Sequence, residues 1–207
     1  MKMLKGNNMD PYFCETKEEA LELVKSLIPK GAAVTHGGSV TLKEIGATEL
    51  IANGDYEYLD RSKCRTPEET QKLYREIFCA YVFLTSSNAV TENGELYNVD
   101  GNANRIACIA FGPKSVIAVV GVNKIVKDLD EAAYRVKTIA APKNTVRLGL
   151  NTYCAKAGKC VSLSQECPKM SDGCHSPERI CCSYLVSGQQ RVKDRIKVII
   201  VNEDLGY

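Results

Sequence analysis

Six of the ten cysteines lie between Cys154 and Cys182, spaced Cys154-x5-Cys160-x6-Cys167-x6-Cys174-x6-Cys181-Cys182. A tetrahedral zinc ion or a four-iron cluster takes four thiolates, and a flexible loop can supply them. The spacing is neither the paired C-x2-C of a zinc ribbon nor the C-x2-C-x2-C of bacterial ferredoxins. Composition therefore points to metal and leaves its identity open between zinc and iron–sulfur. From Asn144 to Pro177 apolar periodicity vanishes and Gly, Ser, Lys, Pro and Cys dominate, so these thiols do not read as core. Cys14, Cys64, Cys79 and Cys108 fall outside the cluster, and Cys79 and Cys108 read as core. His36 and His175 are the only histidines. A Cys–His or Ser–His nucleophile pair is thus poorly supported, and enzymatic activity is left open.

Three other segments carry polar chemistry. Thr35-His-Gly-Gly-Ser-Val-Thr41 reads as a strand, a glycine turn and a helix start. Backbone N–H groups converge in such a turn and suit phosphate or carboxylate, with Gly37, Gly38 and Ser39 at its centre. The plain alternative is a tight turn in which Ser39 caps the helix. Ser86 to Arg105 is dense in Asn, Asp, Glu and Gly. Turn formation explains Asn93-Gly94, but explains Asn88, Asp100, Asn102, Asn104 and Arg105 less well. Gly121-Val-Asn-Lys124 follows the most strand-like segment, so Lys124 is a cation at a strand's C-terminal end. A solvated surface lysine is the plain alternative there. Ligands of open parallel sheets sit at those ends. The expected anion site is therefore Gly37, Gly38, Ser39, Asn88, Asp100, Arg105 and Lys124.

The elements that must position these residues are legible. Thr16-Lys-Glu-Glu19 is a capping box ahead of the stripe Ala20, Leu21, Val24, Leu27, Ile28. Ala32–Thr35, Tyr56–Leu59 and Tyr81–Leu84 read as strands. Thr66-Pro67-Glu68-Glu69 opens a helix to about Phe78. Asn93-Gly94 marks a hairpin. Gly101–Ala110 reads as helix, and Asp128 opens another with Leu129, Ala132, Ala133, Val136 and Ile139 on one face. Ser115–Val120 is uncharged and β-branched, so it is expected central and buried. Cys182–Val186 and Ile196–Val201 are expected to pair and close the loop at its base. Strands alternating with helices give an α/β fold, a mostly parallel sheet with helices on both faces. A Cys-rich insert occupies about 151–182 of a single domain spanning 1–207.

The chain has 207 residues, 25% charged, with a formal net charge of +2. That lacks the footprint of a nucleic-acid binder. No apolar run reaches the roughly 18–20 residues of a membrane span, and Met1–Asp10 has no signal-like apolar core. The expectation is a cytoplasmic protein with neither nucleic-acid nor membrane partner, in a compartment where clustered cysteines bind metal rather than pair.

Ser86-Ser-Asn-Ala-Val-Thr91, Asn98-Val-Asp-Gly-Asn-Ala-Asn-Arg105, Phe111-Gly-Pro-Lys114 and Val120-Gly-Val-Asn-Lys-Ile-Val126 together resemble the LUD-domain, or lactate-utilisation, family. Gly37-Gly38-Ser39 fits an earlier glycine turn of that family. Cys154, Cys160, Ser176-Pro-Glu-Arg-Ile-Cys181 and Glu203-Asp-Leu-Gly-Tyr207 resemble a subgroup with a C-terminal cysteine motif. The resemblance implies a fold like that of ribose-phosphate isomerase, glucosamine-phosphate deaminase and CoA-transferase. It implies a role in oxidation of lactate to pyruvate, beside iron–sulfur partner proteins. It also implies which four cysteines hold the metal: Cys154, Cys160, Cys174 and Cys181. The chain departs from the subgroup in the stretch Val161–Gly173, which lengthens one gap and introduces Cys167. Cys174 is preferred because it precedes the matching Ser-Pro-Glu-Arg run. Two further readings are a non-enzymatic iron–sulfur or zinc protein, acting as electron carrier or assembly partner, and a metabolite-sensing regulator.

Overall fold

Branched side chains crowd against the preceding turn of a helix but stack well on a pleated surface. The computed structural model, which describes residues 1–207, follows that preference closely. Its ten strands are β1 (Asp10–Cys14), β2 (Ala33–His36), β3 (Glu57–Tyr58), β4 (Val82–Thr85), β5 (Ala89–Thr91), β6 (Leu96–Asp100), β7 (Ser115–Gly121), β8 (Ile125–Val126), β9 (Ser183–Ser187) and β10 (Ile196–Val201). Six form a fully parallel sheet in the order β1-β10-β7-β4-β2-β3. Strand β7 lies between β10 and β4 and every residue of it is buried, as its composition predicts.

The period of two along the strands sorts side chains onto two faces. On one, Ile117, Val119, Ile199 and Val201 pack with Val24, Leu42 and Ile51 from the helices Lys17–Leu27, Val40–Glu44 and Ala47–Asn53. On the other, Val116, Val120, Val198 and Ile200 pack with Cys108 and Ile109 of helix Asn104–Ala110. Both faces are therefore covered by helices, the condition for a parallel sheet.

The remaining strands form a small sheet in the order β8-β5-β6-β9. Its β5–β6 hairpin turns at Asn93-Gly94, where Gly94 has φ +78 and its missing Cβ leaves room for the backbone of Met3 and Leu4. Val90 and Leu96 face the main sheet, while Ala89 and Tyr97 face the chain from Leu129 to Arg147. That chain is helical throughout, with a π-helical turn at Val136–Ala140 just before Pro142. Proline lacks the N–H that would bond back along the helix, and π turns often occur at functional sites.

Several expectations are corrected. The two closing strands do not pair with each other: β9 joins β6 in the small sheet, and β10 enters the main sheet between β1 and β7. Edge strand β1 (Asp10–Cys14) has no counterpart among the expected strands. Cys108 is fully buried, but Cys79 is exposed at the end of its helix. The insert contains a short helix, Tyr153–Ala157, capped by the Thr152 hydroxyl. No helix is long and apolar enough to cross a membrane.

Strand β7 should be the stability centre. Ile117→Ala is expected to cost about 2–5 kcal/mol, read as a lower urea midpoint with unchanged slope, while exposed Val192→Ala stays within about 0.5 kcal/mol.

Candidate functional site

The C-terminal ends of β2, β4 and β7 open onto one cavity of about 360 Å³, within the usual range for small-molecule sites. Gly38, Ser39 and Thr41 follow β2, Ser86 to Asn88 follow β4, and Lys124 follows β7. Tyr207, beyond β10, also lines the cavity. The chain after β10 can cross β7 closely because Gly121 has no Cβ, which would lie 2.5 Å from the Glu203 carbonyl and 2.6 Å from the Leu205 nitrogen.

Six of the seven expected anion-site residues line this cavity: Gly38, Ser39, Asn88, Asp100, Arg105 and Lys124. Gly37 instead packs on Arg105, whose aliphatic stem would lie 3.0 Å from an added Cβ. The roles within the set differ. The Ser39 hydroxyl accepts from the Leu42 N–H and caps the following helix, as the plain alternative holds. Arg105 directs its Nε to Asp100 at 2.9 Å and its other N–H groups to the Ser86 and Val99 carbonyls and to Asn98 and Asn88 Oδ1. These five contacts match the five donors of a guanidinium, so Arg105 shapes the wall rather than gripping a ligand. Asp100 also accepts from the backbone N–H groups of Arg105 and Ile106, fixing the start of helix Asn104–Ala110. Asn88 Oδ1 accepts from the Val99 N–H as well.

Lys124 is not the solvated surface residue that its sequence context allows. It is 2% exposed, and its Nζ donates to Thr41 Oγ1 at 2.8 Å and Ser86 Oγ at 3.0 Å. Burial first, then the positive charge of Arg135, pulls its pKa down to about 7; Arg105 adds to the shift and Glu44 opposes it. Arg61 and Arg147 line the same cavity, and neither stands in a motif that would mark it in the sequence. Asp100 is the one acidic residue of the lining and is already paired with Arg105, so the cavity favours anions.

Behind one wall lies a second, mostly apolar cavity of about 30 Å³. Cys154, Cys160, Cys174 and Cys181 all line it, whereas Cys167 and Cys182 do not and are exposed. No group of three or more His, Cys, Asp or Glu side chains is arranged so that it could hold an ion as it stands. Cys154 Sγ lies 3.3 Å from the Thr152 hydroxyl, and Cys160 Sγ 3.3 Å from the Ser162 hydroxyl. Ser162 in turn accepts from Lys137 Nζ at 2.9 Å, and Lys137 belongs to the π turn. Arg179 donates to the Cys174 and Cys181 carbonyls, bracing both ligand candidates. Burial, and then the nearby Cys154 and Cys160 thiols, push the Cys181 thiol up to about 12, with Cys174 adding to the shift. The four thiols line one cavity without being arranged to hold an ion as they stand; their chemistry is that of thiolate ligands, a form that a bound cation would favour. The two cavities share Val136, Ala141, Arg179, Ile180 and Cys181. Sequence reasoning missed Lys137 and Arg179: the first sits on a helix among charged neighbours, and the second was seen only as part of a motif.

An α/β protein with an anion-favouring cavity at the C-terminal edge of a parallel sheet is thus defined, with a thiol-lined cavity behind it. The chain belongs to the LUD-domain family, whose model matches residues 1–201. It is similar to the crystal structure of a DUF162 family protein from Deinococcus radiodurans, at 16% identity and a TM-score of 0.51, covering 98% of this chain and 93% of that one. A partial overlap with ribose 5 phosphate isomerase A from Neisseria gonorrhoeae covers 55% of this chain and 54% of that one, at 12% identity and a TM-score of 0.35. None of the curated proteins matches the chain.

The buried amine has a stability signature. Its pKa is about 7 when folded and about 10.4 when unfolded, so between those values the unfolded chain binds more protons. Lys124 should make stability rise with pH from about 7 to about 10, and Lys124→Met should lack that rise. Urea midpoints of both proteins at pH 7 and 9.5 check this: the wild type should gain on the variant at the higher pH, and a constant difference would mean the folded amine stays charged.

Proposed function

We propose that this chain is an anion-binding subunit of organic-acid oxidation, lactate to pyruvate, that carries a metal centre on Cys154, Cys160, Cys174 and Cys181. The observation that carries the reading is the shared wall: Cys181 lines both the thiol cavity and the anion cavity. A carboxylate substrate is met by Lys124, Arg61 and Arg147, and the Gly38 turn lets it approach the backbone. Gly38 has no side chain to obstruct that approach, and an added Cβ would crowd Arg61. Membership of the LUD family supports the lactate assignment. The oxidation releases two electrons and two protons, and iron–sulfur partner proteins would have to accept the electrons.

Bound there, an iron–sulfur cluster supplies one-electron chemistry, whereas zinc orders the loop. The chain's own residues do the rest. Thr152 and Ser162 hydroxyls can donate to two thiolate sulfurs, and Lys137 and Arg179 place positive charge beside them, which tunes such a centre. The apolar lining, including Val136, Val161 and Ile180, excludes water. Metal ligation contributes folding free energy to the segment from about Asn151 to Pro177, so metal loss disorders that segment and leaves the main sheet folded.

Anaerobic purification followed by metal analysis and visible absorbance is the test. A brown protein identifies an iron–sulfur centre, and a colourless protein with stoichiometric zinc a structural site. Single Ser variants of Cys154, Cys160, Cys174 and Cys181 should each lose most of the metal, and Cys167→Ser should keep it. Metal retained in Cys174→Ser but lost in Cys167→Ser would reassign the third ligand; a wild type without metal would remove the centre. Lactate or pyruvate binding should weaken at least about tenfold in Gly38→Val, or about 1.4 kcal/mol. A metal centre with no anion binding would instead make the chain a metal-cluster protein on an α/β scaffold.

A further inference from the structure

We propose that Lys124 is a nucleophilic amine that captures 2-oxo acids in the anion cavity as an imine. The inference rests on the anion-binding reading above and names the substrate class of the same cavity. Four observations carry it. The Nζ sits in the cavity wall at the end of β7, almost fully buried. It is oriented by two hydroxyls, Thr41 and Ser86, that line the cavity with it. No carboxylate pairs with it: the ion pairs of the molecule are Lys25–Glu22, Lys30–Asp55, Lys72–Glu76 and Arg105–Asp100. Finally, Arg61 and Arg147 line the same cavity and supply the charge that a carboxylate needs, so the amine is not required as the counter-ion.

A lysine becomes a carbonyl nucleophile when desolvated or set beside other cations. Both conditions hold at Lys124. Burial and the charges of Arg135 and Arg105 disfavour its proton, while Glu44 favours it, so much of the amine is neutral near pH 7. The step balances without an oxidant. The Nζ lone pair forms a bond to the ketone carbon, and the carbonyl oxygen takes up a proton to become a hydroxyl. That uptake is matched by loss of one amine hydrogen; loss of the second, with cleavage of the hydroxyl's C–O bond, then gives C=N and one water. Ser86 and Thr41, each a donor and an acceptor within reach of Nζ, can relay the protons. The reaction is reversible, and a 2-hydroxy acid, which has no ketone, fills the cavity without forming it.

The experiment is reductive trapping on the full chain, with pyruvate and cyanoborohydride, read by peptide mass spectrometry. One reduced adduct per chain is expected, on Lys124, suppressed by excess lactate. At pH 7 it should form at least about tenfold faster than on exposed Lys114, which lacks the burial of Lys124. Its rate should rise through about pH 7 and level off. Lys124→Arg should form no adduct at this site, and Lys114→Arg should trap as the wild type does. If pyruvate binds to the wild type but Lys124 stays unlabelled, or label spreads over exposed lysines, the imine is overturned and the anion-binding reading stands. If neither pyruvate nor lactate binds to the wild type, both readings fall.

Discussion

The guanidinium of Arg105, locked on Asp100 at 2.9 Å, holds the candidate site in shape. Its other contacts reach the Ser86 carbonyl after β4, Asn88 in the loop to β5, and Asn98 and Val99 in β6. One buried fork therefore joins the main sheet to the small sheet and fixes the start of the helix between them. Both charges are largely hidden, with 13% and 11% of their side chains exposed. Removing one partner of such a pair leaves the other buried and uncompensated, which costs far more than the pair contributes when intact. That asymmetry explains why the most conspicuous polar residues of the segment serve architecture. It leaves Lys124, Arg61 and Arg147 among the cations of the lining not engaged with Asp100.

With the wall fixed in this way, the placement of Lys124 follows. Its hydrogen-bond partners are hydroxyls, burial is the largest influence on its charge, and Arg135 outweighs the opposing Glu44. A surface lysine in the same loop would be a solvated counter-charge, and this one is a desolvated amine. The opposite logic operates in the adjoining cavity. There, burial and then the neighbouring thiols favour the protonated form of Cys181, and Lys137 and Arg179 supply positive charge near the sulfurs. The π turn is common to both: Val136 lines each cavity and Lys137 reaches Ser162 beside Cys160.

The sheet was legible wherever a local signal matched the long-range structure. Ser115–Val120 announces a buried central strand because nothing polar interrupts it, and Asn93-Gly94 announces a turn because few other pairs adopt it. Strand β1 gave no such signal, since an edge strand tolerates Pro11 and Asp10. The partners of β9 and β10 were misread because adjacency in sequence favours pairing, whereas here each strand completes a different sheet. At the site, the residue types were legible and their division of labour was not. Asn88, Asp100 and Arg105 look alike as ligand contacts until their donors and acceptors are matched one by one. Arg61, Arg147 and Tyr207 come from distant segments that only the folded chain brings to the cavity. The four cysteines were chosen by likeness to a family motif, and their gathering around one cavity follows from the turns after helix Tyr153–Ala157 and before β9.

The central claim is that the proposed thiol-bound centre would share a wall with the anion cavity through Cys181, which lines both cavities, so that each would feel the other. Binding free energies at coupled sites are linked reciprocally. The direct measurement is the Kd of pyruvate by calorimetry for the metal-loaded protein and for the same protein stripped by a chelator. The account predicts weaker binding in the stripped protein, by at least about threefold, or about 0.7 kcal/mol, because Arg179 to Cys181 lose their anchor. Equal affinities in the two forms, with the metal shown to be gone, would contradict it.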